Sequence, residues 1–413
     1  MKKIIAILLA AVMVFAFAAC STTDDDSEST TDASASSTVS SDLKVGFIFL
    51  HDSNSTYDKN FIDAADEVHN YQLFEDTQFI YKTNIAEDDS CLTAAEELVD
   101  AGCSIIFADS FGHEDYMIEA AKEFPDVQFC HATGTKAHTE GLSNYHNAFA
   151  SIYEGRYLAG IAAGMKLNEM IANGEITEDE AKMGYVGAYT YAEVISGYTS
   201  FYLGAKSVCE SVTMEVSFTG SWYDETAEKE AANKLISNGC VLISQHADSM
   251  GAPTACEEAG VPNVSYNGST ISACPNTFIV SSRINWAPYF EYAINCVING
   301  EEIASDWTGT LSTGSVVLTD VNEDVAAEGT QDAIDEAIAA LEAGTLHVFD
   351  TATFTVDGET ITEYMADVDT DDNYEGDHNV IVDGYFDESA DGFRSAPYFD
   401  LLIDGITLLD TQY

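Results

Sequence analysis

The chain has 413 residues, with 15 Lys+Arg against 71 Asp+Glu and a formal net charge of −56 at pH 7. That length allows two or three domain-sized units, and 46% hydrophobic residues supply cores for them, which excludes a chain that is mainly disordered acidic tail. The charge argues against nucleic acid and polyphosphate partners, which are held chiefly by Lys and Arg, and favours a neutral or cationic ligand.

Met1-Lys2-Lys3 precedes an unbroken apolar run over 4–19, shorter than a bilayer span of ~20 residues and of the form of an export signal. The run ends in Phe17-Ala18-Ala19-Cys20, which resembles a bacterial lipoprotein box, although Phe17 stands where an aliphatic residue is usual. That resemblance implies a signal peptide over 1–20, acylation of Cys20 and attachment to the extracytoplasmic face of the cell membrane. The alternative is an ordinary signal cut nearby, with Cys20 incidental. Residues 21–42 are rich in Ser, Thr and Asp and read as a flexible tether.

From residue 43, short apolar runs alternate with amphipathic helical patterns. Strands are predicted over 44–50, 79–83, 104–108, 127–130, 183–187, 213–218, 241–244 and 263–266, with helices between most of them. Phe61, Ala64, Ala65 and Val68 share one helical face, as do Ala94, Leu98 and Ala101. Near-continuous apolar strands joined by crossover-length helices indicate parallel sheets covered on both faces, here two doubly wound α/β units. The stretch 151–173, with Gly-Ile-Ala-Ala-Gly at its centre, reads as a close-packed buried helix. Beyond about residue 345 the pattern is different, with 348–356, 358–364 and 380–386 alternating in β fashion between acidic turns. The acidic run 367–377 lacks the glycine and glutamate of a calcium loop and reads as a solvated turn. Cys91, Cys103, Cys130, Cys209, Cys240, Cys256, Cys274 and Cys296 form no CxxC pair and are expected as buried free thiols.

In open α/β sheets ligands bind beyond the carboxyl ends of the strands. Those ends carry His51 and Asp52 with Tyr57, then Ser110-Phe111, His131-Ala132-Thr133-Gly134, Tyr189, Tyr191 and Glu193. They continue with Trp222 and Asp224, Gln245-His246-Ala247-Asp248, Asn267 and Trp286. Rings stack on planar ligands, and Asp, Asn and Gln satisfy hydroxyls or heterocycle edges. Each position also has a structural reading: Asp224 caps the following helix, and Trp222 and Trp286 are core. No GxSxG elbow, P-loop, HExxH or GxGxxG follows a strand, so no catalytic site or cofactor is expected. His51, His113, His131 and His246, with Asp52 or Asp248, could instead converge on a metal.

Several stretches together resemble the basic membrane protein (BMP) family of purine-nucleoside-binding ABC transporter lipoproteins. They are Lys44-Val45-Gly46-Phe47-Ile48, Ile106-Phe107-Ala108-Asp109-Ser110-Phe111-Gly112, and Ala121-Lys122-Glu123-Phe124-Pro125-Asp126-Val127. Tyr157-Leu158-Ala159-Gly160, Ser221-Trp222-Tyr223-Asp224, Gln245-His246-Ala247-Asp248-Ser249 and Asn285-Trp286-Ala287-Pro288-Tyr289 follow in order. The resemblance implies a type I periplasmic-binding-protein fold, with two Rossmann-like lobes joined by a hinge and a C-terminal β-rich extension. It places lobe 1 at 43–148 with roughly 283–320 returning to it, lobe 2 at 149–282, and a C-terminal helix and acidic extension at 321–413. It also implies a nucleoside or nucleobase ligand, ABC permease partners and no enzymatic activity. The implied ligand set is Asp52, Tyr57, Ser110, Phe111, Tyr189, Glu193, Trp222, Asp224, Gln245, His246, Asp248, Asn267 and Trp286. Relatives often carry Gly-Trp where this chain has Asn54-Ser55, so Tyr57 is the candidate replacement ring. The competing reading is an exported metal-binding or hydrolytic surface protein using the strand-end His and Asp residues.

Overall fold

The computed structural model describes residues 43–71, 78–366, 368, 378–388 and 394–410. The export signal, Cys20, the tether and most of the acidic run 367–377 lie outside them. Among the described residues no helix is long and apolar enough to cross a membrane.

The first half of the chain runs β1 (Val45–Ile48), α1 (Thr56–Tyr71), β2 (Phe79–Lys82), α2 (Ser90–Asp100), β3 (Ile105–Ala108), α3 (Glu114–Glu123), β4 (Gln128–Ala132), α4 (Ala137–Glu140) and β5 (Tyr145–Ala150). Then come α5 (Ile152–Ala172), β6 (Lys182–Gly187), α6 (Ala192–Val208), β7 (Thr213–Phe218), α7 (Glu225–Ser237), β8 (Leu242–His246), α8 (Gly251–Ala259) and β9 (Asn263–Tyr266). β10 (Phe278–Ile284), α9 (Ala287–Asn299), β11 (Asp306–Gly309), β12 (Val316–Leu318) and α10 (Thr330–Glu342) follow. All eight predicted strands are present, within two or three residues at each end. β5, β10, β11 and β12 are additional to them.

Two sheets result. The first has the order β11-β5-β4-β3-β1-β2 and is parallel throughout. The second has the order β12-β10-β9-β8-β6-β7, closed at its far edge by the strand Ile406–Leu408. It is parallel except for β12 against β10. The order reverses at β1 in one sheet and at β6 in the other, which makes each a doubly wound lobe with a crevice at its switch point. The chain passes between sheets three times: from β5 to α5, from β10 to α9, and from β11 to β12. It is back in the second sheet by Val316.

The small-residue run of α5 has a packing cause. A Cβ on Gly160 would lie 2.1 Å from the Phe201 carbonyl oxygen, and one on Gly204 would lie 2.0 Å from that of Tyr157. The backbones of α5 and α6 touch there, so glycine is required by close approach. The expected tightly packed helix is found.

Beyond α10 the tail forms two-residue strands: Phe349–Asp350, Met365–Ala366, His378–Asn379, Ile381–Val382 and Tyr385–Phe386. Alternation alone predicts longer strands there. The tail's rings instead enter the core of the second lobe, where Phe349 stacks on Phe399 at 4.2 Å in the cluster that holds Tyr198 and Phe201. Glu388 fixes this docking. It accepts from Ser196 Oγ at 2.6 Å and from the backbone N–H groups of Tyr398 and Phe399 at 2.9 and 2.5 Å. Burial pushes its carboxyl up to about 7. Ser395, in turn, donates from its N–H and Oγ to Asp306 of β11, at 2.8 and 3.1 Å.

Candidate ligand-binding site

A cavity of about 340 Å³ opens at the switch points of both sheets. The first lobe supplies Leu50 beyond β1, Tyr57 from α1, Ser110 and Phe111 beyond β3, and Thr133 beyond β4. The second supplies Glu193 from the first turn of α6, Trp222 beyond β7, His246 and Asp248 at the end of β8, and Asn267 beyond β9. The two lobes meet beside it: Thr56 donates from N–H and Oγ1 to the Asp248 carbonyl at 3.0 and 3.2 Å.

An aromatic wall crosses between lobes at the cavity. Phe111 lies 5.2 Å from Tyr191, Tyr191 stacks on Tyr189 at 5.1 Å, and Tyr189 meets Trp222 edge-on at 5.0 Å. Tyr57 donates from its hydroxyl to the Asp109 carbonyl at 2.7 Å, which fixes its ring.

The polar wall is acidic. Glu193 Oε1 accepts from His246 Nε2 at 3.3 Å; burial lowers the histidine below its ordinary range, so the neutral ring carries its proton on Nε2. Asp248 accepts from the Asn267 amide at 3.0 Å. Burial, then the charges of Asp58 and Glu228, push Asp248 well above the usual carboxylate range. Behind the first lobe's wall, Asp109 accepts from the Leu50 N–H at 3.0 Å and is raised by burial and by Asp58. Arg156 is wholly buried in the second lobe, where it donates to the hydroxyl of Tyr185 and lies 4.6 Å over the Tyr266 ring. It does not line the cavity.

Of the thirteen residues proposed from sequence, the structure brings eight to the cavity: Tyr57, Ser110, Phe111, Glu193, Trp222, His246, Asp248 and Asn267. Tyr189 supports Trp222 from one layer out. The other four have structural tasks. Asp52 turns back to accept from the N–H and amide of Asn54, and these hydrogen bonds hold its carboxyl below the usual range. Asp224 caps α7 by accepting from the Ala227 N–H at 2.9 Å. Gln245 accepts from Asn263 within the sheet at 3.0 Å. Trp286 is 1% exposed and stacked on Phe61 at 4.4 Å, in the core of the first lobe. Two wall residues fall outside the implied ligand set. Leu50 carries no polar signal, and Thr133 is held at φ +70°, a strained setting for a β-branched side chain.

The histidines do not converge. His113 Nε2 pairs with the Ile85 carbonyl at 3.0 Å and His131 Nε2 with that of Ser110 at 2.7 Å, and burial lowers both to about 4. Among the described residues no group of three or more His, Cys, Asp or Glu could hold a metal ion. The eight cysteines among the described residues are buried and free, with the thiols of Cys103 and Cys130 pushed up by burial to about 11 and 12. Such thiols are poor nucleophiles.

The PnrA-like ABC transporter substrate-binding family, Bmp, matches residues 46–344. The chain belongs to the Bmp family. A purine-binding protein of Brucella abortus is 33% identical over 62% of this chain and 69% of its own length. A protein of Haloferax volcanii named as a putative ABC transporter glucose-binding protein, TsgA13, is 31% identical over 60% of this chain and 58% of its own. Among solved structures, an ABC transporter solute-binding protein from Aeropyrum pernix K1 superposes with a TM-score of 0.63 at 16% identity, over 74% of this chain and 93% of that one. This Bmp protein is therefore the extracytoplasmic substrate-binding component of an ABC transporter, with the periplasmic-binding-protein fold, and not an enzyme.

Proposed function

We propose that this Bmp protein captures a purine nucleoside or nucleobase between its lobes and delivers it to ABC permease subunits, tethered to the membrane through a lipid on Cys20. The observation that carries the ligand reading is the wall itself: Phe111, Trp222 and Tyr57 surround a 340 Å³ cavity whose polar side chains include Glu193, Asp248 and Asn267 but no Lys or Arg. Flat rings suit a planar heterocycle. Carboxyl groups and an amide suit hydroxyls and ring-edge groups, while no Lys or Arg of the wall offsets the charge of a phosphate. The purine-binding relative supports the same class. For the anchor, the support is the apolar run ending in Ala18-Ala19-Cys20 and the polar stretch after it.

The test is mass spectrometry of ligand carried through purification and released by denaturation, followed by fluorescence titration with purine nucleosides, nucleobases and glucose. A purine released, and quenching or enhancement of Trp fluorescence at micromolar purine without product formation, is the expected result. A response to glucose with none to any purine would overturn it and favour the sugar chemistry of the haloarchaeal relative's name.

A further inference from the structure

We infer that Thr133 is a ligand contact: its hydroxyl donates to an acceptor atom that the bound ligand presents to the first lobe. The inference rests on the reading of this cavity as the binding site and adds to it a residue outside the implied ligand set.

The first lobe lines the cavity with Leu50, Tyr57, Ser110, Phe111 and Thr133. Leu50 and Phe111 have no polar side-chain atom. Tyr57 gives its hydroxyl proton to the Asp109 carbonyl at 2.7 Å, and Ser110 gives its own to Glu87 at 2.6 Å. Thr133 differs from both. It is 3% exposed, and among the described residues its Oγ1 is buried without a hydrogen-bond partner. A hydroxyl in that state has given up its hydration and gained nothing in return. In the wall of a binding cavity, the partner that resolves this is one that arrives with the ligand.

The backbone supports the same reading. Thr133 stands at φ +70°, in the left-handed region, although a glycine, which would occupy that region freely, follows it at 134. The strained turn is held by its neighbours. The Thr133 N–H donates to the Ala148 carbonyl of β5 at 3.1 Å. Buried Glu114 accepts from the N–H groups of Thr135 and Lys136 at 2.7 and 2.9 Å and from the Tyr145 hydroxyl at 3.1 Å. Asn147 Oδ1 accepts from the Ala137 N–H at 2.8 Å. None of these bonds uses the Thr133 side chain, so the turn between β4 and α4 does not need a threonine there. What threonine adds at that position is its hydroxyl. Strain that the surroundings over-determine is a feature of ligand clamps.

The wild-type chain is compared with Thr133→Val, which keeps the shape and removes the hydroxyl, and with Thr133→Ser, which keeps the hydroxyl. Each is titrated calorimetrically with adenosine, inosine, adenine and hypoxanthine, and each is melted without ligand. Thr133→Val should bind about tenfold more weakly, the size of one hydrogen bond, and Thr133→Ser within about threefold of wild type. Ligand-free Thr133→Val should melt at or above the wild-type temperature, because it no longer buries an unpartnered hydroxyl. A loss for bases and nucleosides alike puts the acceptor on the base, and a loss for nucleosides alone puts it on the sugar. Unchanged affinity in Thr133→Val, or a lower melting temperature of that variant without ligand, would overturn the role of Thr133 and leave the purine reading standing. If the wild type binds none of the four, the purine reading fails, and the ligand-free melting temperature of Thr133→Val alone decides for or against Thr133.

Discussion

The two lobes share a fold but not a chemistry. The first lobe faces the cavity with Leu50, Tyr57, Ser110, Phe111 and Thr133, none of them charged, while the second faces it with Glu193, Trp222, His246, Asp248 and Asn267. The first lobe does have carboxyl groups at its strand ends, but they point into the protein: Asp109 to the Leu50 N–H, Asp58 to the His51 N–H at 2.7 Å, and Glu87 to Ser110 and the Gly112 N–H. Acids of the same type at equivalent strand ends thus brace the wall in one lobe and face the cavity in the other. A strand-end carboxylate is informative only once its partner is known.

Trp222 offers the severest test of this asymmetry. Trp222→Ala should weaken ligand binding about a hundredfold, roughly 3 kcal/mol, because the ring is the second lobe's largest contribution to the wall. It is only partly buried, so the far-UV circular dichroism should be unchanged; unfolding would instead assign it to the core.

Glu388 tests whether acids of the second lobe also govern stability. The folded chain keeps the Glu388 proton up to about pH 7, whereas the unfolded chain releases it near the ordinary 4.5. The contribution is therefore complete below about pH 4.5 and is lost as the pH rises through 7. Urea unfolding of wild type and Glu388→Gln should show the wild type losing ground to the variant by on the order of 3 kcal/mol between about pH 5 and 8. A pH-independent difference would mean that the carboxyl is already ionised in the folded protein.

A pair of substitutions probes the contrast between lobes more finely. Asp248→Ala should cost roughly tenfold in affinity, since it removes a carboxyl group from the cavity face together with its hydrogen bond to Asn267. Asp109→Asn should leave affinity within about twofold and cost less than about 1 kcal/mol in stability, because an amide mimics a neutral acid and still accepts from the Leu50 N–H. Equal losses of affinity in both variants would erase the distinction drawn between the lobes.

Sequence reading reached the parts of the fold whose strands are continuous apolar runs. It missed β5 and β10 because buried polar residues interrupt them. His146 of β5 bonds Gln128 at 2.8 Å and the Ala304 carbonyl at 3.1 Å, and Asn147 bonds Tyr145 and the Ala137 N–H. Ser281, Ser282 and Arg283 break the run of β10. Satisfied polar groups are compatible with a buried strand, but periodicity cannot show that they are satisfied. At the site, the strand-end rule found most of the wall and overreached where a local use competes. Asp52 and Asp224 are consumed by their own turns and caps, and Trp286 by a stacking partner, Phe61, far away in sequence. Leu50 escaped because a wall residue need not be polar.

The strand Ile406–Leu408 has a consequence for how the protein comes into being. It pairs in parallel with β7, covering an edge that would otherwise offer free N–H and C=O groups to another chain, and Ser217 is bonded to Asp410 across 193 residues of sequence. Closing so long a loop is slow, because its entropy is lost before the contacts that reward it can form. During synthesis and export, then, the second lobe passes through a period with its β7 edge uncovered, whereas the β1–β5 strands of the first lobe are already available to pair. A cell that makes this protein has an interval in which that edge is open to aggregation, and a chaperone acting on the far side of the membrane would find its substrate there.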